Sequence, residues 1–257
     1  MYLDVADLNE FYGTRLGIAA SMLLERKLRE LWPSVRGERV LGLGYCTPFL
    51  KGFLSEAERV VAFMPAQQGV TRWPRGQAGL TALTEETRLP VSEAMFDKVL
   101  VVHAIENTEQ LRALMREVWR VMTPEGRLVL MVPNRRGLWS RNDRTPFGWG
   151  HPYSRGQLRW LLNETMLAPI AWRRALYLPP MYSRFGIRAI GAMERVGDLW
   201  LRKFAGINLV EAEKRVYAQP GSMSPAAVPV KKLKPILMPG AGAAGTARSS
   251  MDEGGEG

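Results

Sequence analysis

The amino-acid sequence predicts an α/β fold built on a doubly wound parallel sheet. Two observations carry that prediction. Short apolar runs alternate with amphipathic stretches at intervals that suit right-handed βαβ crossovers. The runs are also continuously apolar, as strands covered on both faces are, rather than alternating like strands with one wet face. A chain of 257 residues, 46% hydrophobic and 23% charged, is long and apolar enough for one sizeable core.

Each element has its own signal. Residues 14–31 place Leu16, Leu23, Leu24, Leu28 and Leu31 at helical spacing, with Pro33 ending the helix. RVLGLGY (39–45) reads as a buried strand running into glycine-containing turn material. ERVVAFM (58–64) is a second strand closed by Pro65, and GLTALTEE (79–86) a weaker third. FDKVLVVHAIE (96–106) is a strongly apolar strand with a polar exit. The helix 108–122 sets Leu111, Leu114, Met115, Val118 and Met122 on one face. GRLVLMVPN (126–134) is a strand, 154–164 a helix, 168–178 a strand, 183–204 a helix and 206–218 a last strand. No repeat divides the chain, so 1–218 is expected to be one domain. In 219–257, Gly, Pro and Ala make up 18 of 39 residues without an aromatic, the composition of a disordered tail.

Several classes are disfavoured. One cysteine forms no internal disulfide, and Cys46, His103 and His151 do not make a metal-binding cluster. Acids occupy the N-terminus where a signal peptide would carry bases, and the apolar run LGIAASMLL is nine residues long. No run approaches the roughly 20 residues that span a bilayer. A cytoplasmic protein is expected.

In open α/β sheets ligands bind beyond the carboxyl ends of the strands, which directs attention to VLGLGYCTPFL (40–50). Gly42 and Gly44 allow close approach of a ligand to the backbone. A nicotinamide fingerprint would need a third glycine where Thr47 stands and an acid near Met64. Instead the block resembles the first motif of the class I S-adenosylmethionine-dependent methyltransferases, of the type 11 kind: two hydrophobic residues, an acid, a hydrophobic residue, then GxGxG. The segment 84–134 is similar to that family's third strand exit, fourth strand, helix and fifth strand, and HPYSRGQLRWLL (151–162) to the segment that follows. The resemblance, over about residues 8–218, implies a Rossmann-like, mostly parallel seven-stranded sheet with an antiparallel last strand, and S-adenosylmethionine as cofactor.

The resemblance also implies the cofactor-binding residues: the turn at Gly42, Gly44, Tyr45 and Cys46, Met64 at the second strand's end, Glu85 for the adenine amino group, Leu89 for apolar packing, and Tyr12 in a covering N-terminal segment. The motif is degenerate. The family's acid falls on Gly42, its second and third glycines on Cys46 and Pro48, and the ribose-binding acid on Met64. Losing that charge-assisted hydrogen bond costs about 1.5–3 kcal/mol. Methyl transfer needs no fixed triad, so the only base suggested is His103 at the exit of the fourth strand, against a histidine that only bonds the strand exit. Glu106 reads as a helix-start acid and Cys46 as a small turn residue.

The net charge of +10 is local. Residues 1–133 hold 16 bases and 16 acids, whereas 134–204 hold 13 and 4. This basic stretch opens with Trp139, Phe147, Trp149 and Tyr153 among Arg135, Arg136, Arg141, Arg144 and Arg155, which either stack on and pair with a planar anion or simply pack. Helix 184–204 carries Arg184, Arg188 and Arg195 on one face and Phe185, Met193 and Trp200 on another, suited to a solvated face, an anionic membrane surface or a lid over a lipid-like substrate. No recognition helix for duplex nucleic acid is evident. The expected function is methyl transfer to a small or lipid-like, anionic acceptor. The alternative is a non-catalytic relative that binds a protein partner or membrane surface.

Overall fold

A computed structural model describes residues 3–180, 194, 197 and 204–216. Seven strands form one sheet in the order β3-β2-β1-β4-β5-β7-β6. They are β1 (Arg39–Gly44), β2 (Arg59–Pro65), β3 (Thr81–Thr84), β4 (Phe96–Val102), β5 (Met122–Pro133), β6 (Leu167–Ala175) and β7 (Ile207–Lys214). The first five are parallel, and β7 runs antiparallel between β5 and β6. The predicted fold class, including the antiparallel last strand, is therefore found.

Strand pleating separates two apolar layers. Val40, Leu100, Val102, Val129 and Met131 face one side with Leu8, Leu24 and Leu28. Leu41, Leu43, Val99, Val101, Leu128 and Leu130 face the other with Leu114, Val118, Leu158 and Leu162. The first layer is covered by α1 (Val5–Gly13) and α2 (Arg15–Leu31), the second by α4 (Leu111–Val121) and α5 (Arg155–Glu164). Local caps define these helices. Asp4 accepts from the Ala6 amide and Thr14 from the Gly17 amide, while Ser154 and Gln157 form a capping box at α5.

Three features differ from the sequence expectation. The chain before residue 14 forms a helix of its own, α1. The crossover after β1 holds only α3 (Thr47–Leu50) and one 3-10 turn, because α2 already occupies that face: the Arg29 guanidinium reaches across to the Gly52 carbonyl and, in a fork, to Glu56. Strands β2, β3 and β4 are joined by loops, not helices. The expected helix over 183–204 lies outside the described residues except for Glu194 and Gly197, both helical, and for Phe204; the expected tail 219–257 lies wholly outside them. Among the described residues no helix is long and apolar enough to cross a membrane.

Candidate functional site

The site begins where β1 ends. Gly44 has a φ of +87°, and a Cβ there would stand 2.1 Å from the Val102 carbonyl oxygen of β4. The turn therefore needs glycine for both conformation and space. Its geometry lets the Tyr45 amide donate to the same Val102 oxygen at 3.0 Å, locking the turn to the neighbouring strand.

Two departures from the methyltransferase motif explain each other. A Cβ on Gly42 would lie 2.7 Å from Cys46 Cβ and 2.6 Å from Leu50 Cδ1. The volume in which the family's acidic side chain would begin is filled by Cys46, whose thiol is fully buried and donates to the Leu43 and Leu100 carbonyls at 3.2 and 3.3 Å. Burial pushes that thiol far above its usual range, so Cys46 is a packing group, not a nucleophile. We expect Gly42→Ala to cost about 1–3 kcal/mol by overpacking. In a Cys46→Gly background the cost should fall by half or more, read from a denaturation double-mutant cycle; additive costs would refute the compensation.

His103 follows β4 directly, with a φ of +54° and no exposure. Its Nε2 lies 2.8 Å from the Tyr12 hydroxyl, and its Nδ1 3.4 Å from Glu106 Oε1. Burial, followed by the neighbouring Tyr45, Glu106 and Cys46, holds the Tyr12 phenol well above its usual range, so Tyr12 is the donor in this contact. The proton of a neutral His103 is then assigned to Nδ1, facing Glu106. Tyr12 is held by a stack on Tyr45 (centroids 5.6 Å apart, 18° between planes) and by an edge contact with Phe49. The Val5 amide bonds to the Gln68 carbonyl and the Gln68 side-chain amide to the His103 carbonyl, tying α1 across the strand ends.

Glu106 is not a helix-start acid. The left-handed turn at His103 folds the chain back, α4 begins only at Leu111, and the Glu106 carboxyl is left 1% exposed with neither oxygen hydrogen-bonded. Nor does His103 merely bond the strand exit, since its ring meets Tyr12. Gln68 Oε1 and Thr84 Oγ1 are buried without partners at the same carboxyl-end edge. Such orphaned acceptors are costly unless a ligand or water meets them. They fit a ligand rich in hydroxyl and amino donors.

The other expected residues are divided. Met64 is fully buried in the layer with Tyr12, Tyr45 and Cys46, whereas Leu89 packs in the opposite layer with Phe63 and Phe96. Glu85 is exposed at the exit of β3; its neighbour Glu86 accepts from the Thr108 hydroxyl at 2.6 Å. Of the loop aromatics, Trp139 and Phe147 are core, Phe147 lying 4.9 Å from the His103 ring, so packing accounts for both. Trp149 is exposed. Tyr153 donates to the Ile105 carbonyl, and burial, then Glu106, pushes its phenol up to about 12. Gln68, Glu106 and Phe147 had no sequence signal as a group, because only the turn at His103 and the loop after β5 bring them together.

Strand order, with the antiparallel β7 between β5 and β6, defines the class: a fold of the class I S-adenosylmethionine-dependent methyltransferase type. Residues 41–130 match the family described as methyltransferase domain. Demethylmenaquinone methyltransferase of Corynebacterium efficiens is 26% identical over 130 residues, which are 51% of this chain and 56% of that protein. The match thus spans little more than half of that relative. Among solved structures, a possible histamine N-methyltransferase of Thermotoga maritima superposes with a TM-score of 0.57 at 13% identity, covering 82% of this chain and 96% of that one. A methyltransferase of Archaeoglobus fulgidus gives 0.56 at 17%, covering 82% and 100%. The 4+2 cyclase SpnF gives 0.51 at 18%, covering 76% and 80%. The fold is therefore shared with at least one protein described by a different reaction, and the site must carry the functional argument.

Proposed function

We propose that this protein is an S-adenosylmethionine-dependent methyltransferase acting on a small or lipid-like, anionic acceptor that loses a proton on methylation. The observation that carries the reading is the buried Tyr12–His103–Glu106 series beside the glycine turn, at the strand edge where this fold binds ligands. The cofactor would be held by the Gly44–Thr47 backbone, by Gln68 Oε1 and Thr84 Oγ1 as acceptors for its hydroxyl or amino groups, by Glu85 at the rim, and by Met64 in apolar contact. When bound it supplies a methyl group already activated on a sulfonium, leaving the chain to align the acceptor, exclude water and take up a proton. Tyr12 and His103 perform the last task. An acceptor O–H or N–H gives its proton to the Tyr12 oxygen as Tyr12 passes its own to His103 Nε2, and Glu106 faces the resulting imidazolium. The acceptor heteroatom gains the methyl, and the proton rests on His103. The surplus of bases over 134–204 supports an anionic acceptor.

Calorimetric titration of the full chain with S-adenosylmethionine and S-adenosylhomocysteine tests the reading; saturable one-to-one binding is expected. Glu85→Ala should weaken it about tenfold or more, as loss of a hydrogen bond to a charged group does. Unchanged affinity would remove Glu85 from the site. Absence of binding to either ligand would favour the second reading, a non-catalytic relative, which the replacement of the ribose-binding acid by Met64 and the exposure of Glu85 support.

A further inference from the structure

Several arginines in this fold are held by a carboxylate. Arg39 meets Asp97, Arg29 meets Glu56, Arg112 meets Glu164, Arg120 meets Glu117, Arg127 meets Glu213, and on β6 Arg173 meets Glu30 at 3.0 Å. The residue after Arg173 differs in the company it keeps. Arg174 points to the other face of β6 and lines a cleft of about 330 Å³ with Arg136, Arg155, Asn134, Asn208 and the first residues of α5. Among the described residues none of these three guanidinium groups has a carboxylate within ion-pair distance.

Three elements supply the three charges: the loop after β5, the start of α5 and the end of β6. Arg174 stands opposite Asn208 in the β6–β7 register, and the Asn208 amide donates to the Tyr153 carbonyl at 3.5 Å. The Arg155 guanidinium lies 4.6 Å from the Trp172 ring centroid, which orients it without neutralising it. Burial, then Arg174, then Arg159 draw the Arg155 pKa down, as expected where cations crowd without a counter-ion. At α5 the capping box uses the Ser154 and Gln157 amides, while those of Arg155 and Gly156, in the first turn, have no intrahelical acceptor.

We infer that this cleft is a binding site for a phosphoryl group. Planar guanidinium forks from separate elements, together with open amides at a helix start, match the several oxygens and double charge of a phosphomonoester better than a single carboxylate. Crowding like charges without a partner costs stability, and a bound dianion removes that cost. The cleft lies at the same carboxyl-end edge as the Tyr12–His103 site and is lined in part by Asn134, which bridges to Tyr153. It does not depend on the methyl-transfer reading.

The test is calorimetry of the full chain with inorganic phosphate at constant ionic strength, in buffer free of S-adenosylmethionine. Saturable one-to-one binding is expected, weakened at least tenfold by Arg174→Gln and by Arg136→Gln, and unchanged in Arg112→Gln. Arg136 lies on an exposed loop, so its variant keeps the test valid if Arg174→Gln misfolds. Absence of saturable binding, or equal binding by the pocket variants and Arg112→Gln, overturns the site. Two further arms identify the source of the group. Binding of glycerol 3-phosphate without sedimentation on phosphatidic acid vesicles marks a soluble ester. Sedimentation on those vesicles but not on phosphatidylcholine, lost in Arg174→Gln, marks a lipid headgroup. Failure to bind S-adenosylmethionine would leave this result standing, and the reverse holds equally.

Discussion

Gly44→Ala is expected to destabilise the fold by on the order of 3–5 kcal/mol, the range reserved for substitutions with a definite steric cause. Two contributions add. An alanine held at a φ of +87° pays about 1–2 kcal/mol for the left-handed region. The larger part arises because its Cβ would lie 2.1 Å from a backbone oxygen of β4, which no rotamer change can relieve. Strands β1 and β4 must move apart, and the Tyr45–Val102 hydrogen bond goes with them. Gly37 provides the control. It too has a positive φ, +72°, but a Cβ there meets nothing within 4 Å, so Gly37→Ala should cost only the conformational part. Urea denaturation of both variants separates the contributions; equal midpoints would show that the close approach at Gly44 is not required.

The sheet was legible because its strands are buried on both sides and read as apolar runs, and because Pro33 follows the end of α2 and Pro65 closes β2; Pro124 and Gly126, read as a turn, lie instead inside β5. What escaped is what only tertiary contact creates. The stretch before residue 14 intersperses Asp4, Asp7 and Glu10 among its apolar residues, and it folds as α1 because Leu8, Phe11 and Tyr12 find places in the core layer on that side of the sheet. Helical crossovers after β2 and β3 could be expected only from the fold class, since that part of the chain has no helical periodicity, and loops are found there. The glycine turn was visible as a motif, but its departures looked like independent losses. The packing of Cys46 against Gly42 joins two of them into one exchange of volume. Glu106 was misread for a related reason: local sequence places an acid shortly before a helix, and nothing local announces that His103 will take a left-handed conformation and turn that acid inward.

Glu106→Gln is expected to move stability and activity in opposite directions. A carboxyl group 1% exposed with neither oxygen hydrogen-bonded is a burden on the fold, so the amide should leave stability unchanged or raise it by up to about 1–2 kcal/mol. Turnover should fall by a factor of about 10²–10⁴, the usual worth of a general base, because the group facing His103 Nδ1 no longer supports an imidazolium. His103→Asn should produce a comparable loss of turnover. Asparagine tolerates the φ of +54° better than most residues, so this variant removes the base while sparing the turn. Tyr12→Phe keeps the ring stacked on Tyr45 and removes only the hydroxyl. The measurement is S-adenosylhomocysteine release across a panel of phenolic and anionic acceptors, beside urea denaturation of each variant and calorimetric titration with S-adenosylmethionine. If the three residues form a proton path, all three variants lose turnover while cofactor affinity changes by less than about threefold, equivalent to about 0.7 kcal/mol. If stability and turnover fall together in Glu106→Gln, the carboxyl group is structural and the relay is refuted. A stabilising substitution that abolishes turnover is the signature of a buried group retained for chemistry, at the expense of the fold that surrounds it.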